Sequence, residues 1–173
     1  MDFLELAKSR YSCRSFDPSK EVEKEKLDKI LEAGRVAPTA KNAQEQRILV
    51  VDTRKDKEKL EQITPFGWGA PVMLIISFDK NESYKQSVVG FDFGYMDASI
   101  VTTHMILEAQ TLGLGTTWVG MFDPIKAKEL YNIPESYEVV SLLPIGYPSE
   151  EAHPSKMHSA IRPKEETIFY DTF

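Results

Sequence analysis

The sequence is poor in the residues that bind metals or form disulfides. Its 173 residues include one cysteine, Cys13, and three histidines, His104, His153 and His158. A single cysteine excludes an intramolecular disulfide, and the histidine spacing matches no metal-site motif. We therefore expect no bound metal.

Long apolar runs and an excess of positive charge are also missing. Apolar runs such as 72–76 are far shorter than the roughly 20 residues needed to cross a bilayer, and residues 1–5 lack the basic and apolar regions of a signal peptide. The formal net charge of -6 argues against nucleic-acid binding, because holding phosphates requires a basic face. We expect a cytoplasmic protein that binds neither membranes nor nucleic acids.

The composition that remains is typical of one soluble globular domain over residues 1–173. Hydrophobic residues make up 42% and charged residues 28%, and a chain of this length buries a sufficient core. Local sequence patterns predict helices near 3–7, 22–37, 57–63, 93–112 and 125–131, and strands near 48–51, 72–77, 116–119 and 139–145. This alternation predicts an α/β or α+β class with a layered core.

Particular segments carry more specific expectations. The uninterrupted β-branched run at 48–51 is typical of a strand buried on both faces. The segment 93–112 is expected to be the central helix, ending at Gly113. Gly113 and Gly115 follow a helix and precede a strand, which is the wrong order for a dinucleotide-binding motif. Residues 149–173 end in an aromatic cluster too apolar for solvent, so we expect this tail to fold back on its own domain or to wrap a partner subunit.

Arginines and serines are concentrated in residues 9–16, here called the arginine segment. In extended backbone, Arg10, Ser12 and Arg14 share one face. Guanidinium groups pair with phosphate or with a carbonyl-rich ring, and a serine hydroxyl completes such a site. Ordinary surface charge explains the same residues, so the segment alone leaves both an anion site and a charged surface open. Cys13 has no evident base nearby in the sequence and is expected to be a small buried residue.

A second polar segment, residues 37–44, is here called the amide loop and carries Asn42 and Gln44. Side-chain amides both donate and accept hydrogen bonds, which suits the edge of a heterocycle such as the flavin pyrimidine. Asn42 is equally typical of simple turn chemistry. Both alternatives remain open at this point.

In this order, the segments resemble the nitroreductase family of FMN-dependent oxidoreductases. Residues 10–16 are similar to its Arg-x-Ser-x-Arg-x-Phe opening, 37–44 to its Ala-Pro-Ser-x-x-Asn-x-Gln loop, and 112–120 to its Leu-Gly-Leu-Gly-x-x-Trp-Ile-Gly segment. Residues 145–148 with Arg162-Pro163 resemble its C-terminal part. The sequence departs from the pattern at Thr39, where serine is usual, and at Glu45-Gln46, which replace a frequent Pro-Trp pair.

The resemblance implies a nitroreductase-like α+β fold, with a central, mostly antiparallel sheet flanked by helices, in an intertwined homodimer. FMN would lie in a groove at the subunit interface, and residues 149–173 would wrap the partner subunit. The resemblance assigns the FMN phosphate and ribityl end to Arg10, Ser12 and Arg162, and the N1 and O2 edge of the ring to Arg14. The full implied set of cofactor-binding residues is Arg10, Tyr11, Ser12, Arg14, Pro38, Thr39, Ala40, Asn42, Gln44, Trp118, Val119, Gly120 and Arg162.

The implied activity is hydride transfer from NAD(P)H through flavin N5 to a small electrophile such as a nitroaromatic or a quinone, in a ping-pong cycle. No catalytic acid or base is implied, and Arg14 supplies electrostatic support because reduced flavin is negatively charged at N1 and O2. The alternatives are other flavin chemistry, such as dehalogenation or flavin fragmentation, or a flavin-binding module without significant turnover. Phe66 and Trp68 either cover the flavin or belong to the core.

Overall fold

The computed structural model describes residues 2–173, in which five helices surround one sheet. The helices are α1 (Phe3–Ser9), α2 (Lys24–Arg35), α3 (Lys57–Ile63), α4 (Gly94–Thr111) and α5 (Pro124–Tyr131), and the strands are β1 (Gln46–Asp52), β2 (Val72–Asp79), β3 (Gly115–Thr116) and β4 (Tyr137–Gly146). The strand order is β1-β2-β4-β3 and every neighbouring pair is antiparallel. The sheet therefore confirms the α+β class.

The prediction that the run at 48–51 is buried on both faces is wrong. It lies in β1, which pairs with β2 alone in the described chain and forms the edge of the sheet. Leu49 is 38% exposed and Val50 is 40% exposed. The apolar run correctly indicated a strand, but it carries no information about whether a second strand lies beside it.

Helix α4 is the central helix, as predicted from its periodicity. Ala98, Val101, Met105 and Ala109 are buried against α2 and the sheet. A methyl group at Gly94 would lie 2.1 Å from the Phe78 ring, so the helix begins in direct contact with β2. The chain leaves the helix at Gly113, whose φ of +75° suits a glycine after a helix end.

The predicted boundaries differ most at the ends of elements. The predicted strand at 116–119 consists of β3 and an isolated bridge between Val119 and Leu142. The predicted helix at 22–37 is confirmed over Lys24–Arg35. Between residues 2 and 173, no helix combines the length and the apolar character needed to cross a membrane.

The C-terminal tail begins against the arginine segment and ends in solvent. The Ser149 amide donates to the Ser15 carbonyl at 3.1 Å, and the two serine hydroxyls are 2.7 Å apart. Beyond this contact the chain forms short 3-10 turns at 156–159 and 164–166. The aromatic side chains of the tail are exposed, namely Phe169, Tyr170 and Phe173.

Candidate functional site

The arginine segment is extended and is held to the sheet by its own backbone. The Cys13 amide donates to the Thr116 carbonyl at 2.9 Å, and the Thr117 hydroxyl donates to the Cys13 carbonyl. The Cys13 side chain is fully buried, and burial raises the pKa of its thiol. A methyl group at Gly115 would lie 2.8 Å from Cys13 Sγ, so this cysteine is a packing residue that fits against a glycine.

The guanidinium groups of Arg10 and Arg14 have no carboxylate within 4 Å in the described structure. The remaining arginines all pair with a carboxylate, namely Arg35, Arg47, Arg54 and Arg162. Arg14 is exposed, and its guanidinium donates to the Ser12 carbonyl at 3.4 Å. With Ser12 and Ser15 it lines a cavity of about 180 Å³ beside residues 151–155 of the tail. Arg14 beside these hydroxyl groups suits an anionic ligand, whereas the Glu151 carboxylate, which lines the same cavity, opposes one.

Arg162 lies apart from Arg10 and Ser12, with which the family resemblance groups it. It is exposed on the tail and pairs with Glu166 at 3.2 Å. Its chain segment does approach the arginine segment, because His158 Nε2 lies 3.1 Å from the Lys8 carbonyl and the His158 ring is 6.5 Å from that of Tyr11. Within one chain, no described contact joins Arg162 to Arg10 or Ser12.

The amide loop has an unusual backbone. Lys41, Asn42 and Gln44 have φ values of 53°, 54° and 53°, a left-handed conformation that is costly for residues other than glycine and clusters at functional sites. The backbone N–H of Gln44 donates to the Thr39 hydroxyl at 3.0 Å. Pro38, Asn42 and Gln44 are exposed, so the loop presents side-chain amides to solvent.

The loop is fixed to the first turn of α4, whereas the arginine segment lies at the other end of that helix. The Ala40 amide donates to Asp97 Oδ2 at 2.9 Å, and Gln110 Nε2 donates to Ser9 Oγ at 3.4 Å. With a rise of 1.5 Å per residue, Asp97 and Gln110 are about 20 Å apart along the axis. One chain therefore does not bring the two segments together.

The segment 118–120 continues from the edge strand β3 along β4, on the side of the sheet that the arginine segment contacts. The Val119 amide donates to the Leu142 carbonyl at 2.9 Å, and its side chain is buried. Trp118 and Gly120 are exposed on either side of it. The buried valine thus fixes the two flanking residues at the surface.

Phe66 and Trp68 are partly buried against a core cluster that includes Leu60, Met73 and Leu142, with their rings 5.4 Å apart. Trp68 has a φ of 48°, and its carbonyl accepts from the Phe16 amide at 3.1 Å. Together with Leu60 and Met73, Trp68 lines a cavity of about 320 Å³. The loop that carries Phe66 and Trp68 is therefore attached both to the core and to the end of the arginine segment.

Sequence reasoning missed the environment of Glu45, which follows the amide loop directly. Its side chain is completely buried, and no group among residues 2–173 donates a hydrogen bond to either carboxyl oxygen. Burial raises the pKa of Glu45 most, a side-chain hydrogen bond with Asp97 and the charges of Asp97 and Asp92 raise it further, and a backbone hydrogen bond opposes them, which gives a pKa of about 7. The sequence feature that could have drawn attention to Glu45 was the departure from the family pattern at residues 45–46.

Comparisons with known proteins agree with these observations. The model of the "Nitroreductase family" matches residues 7–65 and 63–147. A Methanothermobacter thermautotrophicus protein named "Putative NADH dehydrogenase/NAD(P)H nitroreductase" is 35% identical over 157 residues, which are 87% of this chain and 79% of the relative.

Solved structures give the same result. The crystal structure of a nitroreductase family protein from Clostridium difficile 630 is 36% identical, with a TM-score of 0.93 and full coverage of both chains. An FMN-dependent nitroreductase from Clostridium difficile R20291 is 31% identical, with a TM-score of 0.78 and coverage of 99% of this chain and 100% of that one. These neighbours confirm the predicted nitroreductase-like fold. The chain belongs to the nitroreductase family.

Proposed function

We propose that this chain is an FMN-dependent oxidoreductase that transfers hydride from NAD(P)H, through flavin N5, to a small electrophile such as a nitroaromatic or a quinone in a ping-pong cycle. The observation that carries the proposal is the pair of unpaired arginines, Arg10 and Arg14, on an extended segment with Ser12. The name of the FMN-dependent relative supports the same cofactor.

The chemistry of the available donors fits FMN. Arg10 and Ser12, with Arg162 after a movement of the tail, would hold the phosphate and ribityl end. Arg14 would face the N1 and O2 edge, where its charge favours the reduced form. When bound, FMN supplies the hydride-accepting N5, so this chain needs only to bind and orient the ring and the substrate.

We propose that the amide loop comes from a second copy of the chain. The loop and the arginine segment lie about 20 Å apart along α4, and a twofold axis perpendicular to this helix would place each loop beside the partner's arginine segment. The outer face of α4 suits such a contact, because Met96 is 48% exposed and Ile100 is 38% exposed. The FMN site is then incomplete in the monomer.

The arrangement of the remaining chain follows from the same proposal. Residues 1–173 form a single FMN-binding domain, and residues 149–173 form a tail that wraps the partner subunit. The exposure of Phe169, Tyr170 and Phe173 supports this, since one chain leaves the aromatic cluster in solvent.

Anaerobic spectroscopy of the purified protein tests the proposed function. We expect yellow protein whose flavin absorbance bleaches on addition of NADPH or NADH and returns on addition of a quinone or nitroaromatic. Bound flavin that neither nicotinamide reduces would instead favour a binding module. Protein that neither retains FMN nor takes it up on reconstitution would contradict the proposal.

A further inference from the structure

Glu45 lies at the junction of the amide loop and β1, where a carboxyl group is unexpected. Its carbonyl accepts from the Asp79 amide at 2.9 Å, which fixes the backbone at the start of the sheet. Its side chain is completely buried, and within residues 2–173 no group donates a hydrogen bond to either carboxyl oxygen. An ionised carboxylate in such a place is strongly disfavoured.

The charged groups around Glu45 make ionisation still less favourable. Asp97 on α4 is buried, and Asp92 precedes that helix and accepts from the Gly94 amide at 2.9 Å. The nearby cations have other partners, since Lys41 Nζ lies 4.4 Å from the centre of the Tyr84 ring and Arg47 pairs with Glu82. In the described chain, no cation lies within salt-bridge distance of Glu45, Asp92 or Asp97.

Asp97 connects this cluster to the proposed FMN site. Its Oδ2 accepts the backbone amide of Ala40 at 2.9 Å, and Ala40 begins the strained turn that presents Asn42 and Gln44. If Glu45 carries a proton, Asp97 can be the single negative charge of the pair and can hold this amide. A second negative charge beside Asp97 would disturb the anchor of the loop.

We propose that Glu45 is a positioning residue that holds a proton, so that Asp97 anchors the amide loop in the geometry that receives FMN. Loss of this proton loosens the loop and weakens FMN binding as the pH rises. The inference rests on the proposed function for its consequence, but its first step concerns only the residues of this chain.

The test compares the wild-type protein with Glu45→Gln, which keeps the shape of the neutral acid and cannot ionise. The dissociation constant of FMN is measured by flavin fluorescence near pH 6 and near pH 8.5. The wild-type constant is expected to rise about tenfold more than that of Glu45→Gln over this range, since one pKa unit of coupling corresponds to a factor of ten. The FMN phosphate titrates equally in both proteins, so parallel pH profiles would overturn the inference.

Hydrogen exchange of the flavin-free proteins separates this inference from the proposed function. The peptide spanning residues 38–44 is expected to lose about tenfold of its protection between the two pH values in the wild type, after correction for the intrinsic rate, but not in Glu45→Gln. Unchanged protection in the wild type overturns the inference even if the variant does not fold. Absence of FMN binding at both pH values, with this loss of protection, contradicts the proposed function and supports the positioning role.

Discussion

Replacement of Glu45 by glutamine should change how the stability of the flavin-free protein depends on pH. The pKa of Glu45 is raised from its ordinary value of 4.5 to about 7 in the folded state. Well below pH 4.5 the folded and unfolded states both hold the proton, and the residue contributes no pH dependence. Between these values the folded state binds more protons than the unfolded state, so wild-type stability falls as the pH rises, and above pH 7 the loss is complete.

The size of the effect follows from the two pKa values. Each pKa unit corresponds to 1.36 kcal/mol, so the full cost of ionising Glu45 in the folded protein is about 3 kcal/mol. Near pH 5 the cost is only about 1 kcal/mol, because the folded protein is still protonated. Glu45→Gln does not ionise, so its stability relative to wild type should improve by about 2–3 kcal/mol between pH 5 and pH 8.

Urea unfolding followed by circular dichroism measures this difference. Titrating groups that do not interact with Glu45 contribute equally in the two proteins and cancel at each pH, so the difference reports Glu45 together with the coupling to Asp97 and Asp92. A free-energy difference that is the same at pH 5 and pH 8 would refute the reasoning, because it would mean that Glu45 titrates alike in the folded and unfolded chain.

Further predictions concern the arginine segment and the outer face of α4. Arg10→Ala should weaken FMN binding by about tenfold or more in fluorescence titration, since a hydrogen bond to a charged group contributes about 1.5–3 kcal/mol; unchanged affinity would remove Arg10 from the site. Gly115→Ala should lower thermal stability by about 1–3 kcal/mol, because its methyl group would lie 2.8 Å from Cys13 Sγ; an unchanged melting temperature would contradict this packing. Ile100→Asp should yield a monomer without FMN in analytical ultracentrifugation, and a dimer that retains flavin would show that α4 is not the interface.

The sequence predicted those parts of the fold that depend on local patterns. The charged segment between two strands correctly indicated α3, and hydrophobic periodicity indicated the central position of α4. Gly113 marks the end of α4 because its positive φ favours glycine. The prediction that the run at 48–51 is buried on both faces was wrong, because segments distant in the chain decide which strands lie beside it. A short apolar run does not distinguish a central strand from an edge strand.

Less of the site could be predicted from the sequence, because its geometry also depends on contacts between segments that are distant in the chain. The motifs identified two polar segments, but the length of α4 that separates them emerged only from the contacts of Ala40 and Ser9. The carboxyl group of Glu45 becomes unusual through burial beside Asp97, a residue far away in the chain. The assigned FMN contacts remain predictions, and the separation of the two segments determines how they should be tested.

Subunit complementation tests most directly the central claim that two chains build each FMN site. Arg10→Ala damages the arginine segment, and Asn42→Gly removes an amide from the loop while accommodating the φ of 54°. After the two variants are unfolded and refolded together, half of the dimers are mixed, and each mixed dimer has one site without either change. At an FMN concentration that neither variant binds alone, we predict that about a quarter of the sites in the mixture bind flavin. A mixture that binds no more FMN than the separate variants would contradict the shared site.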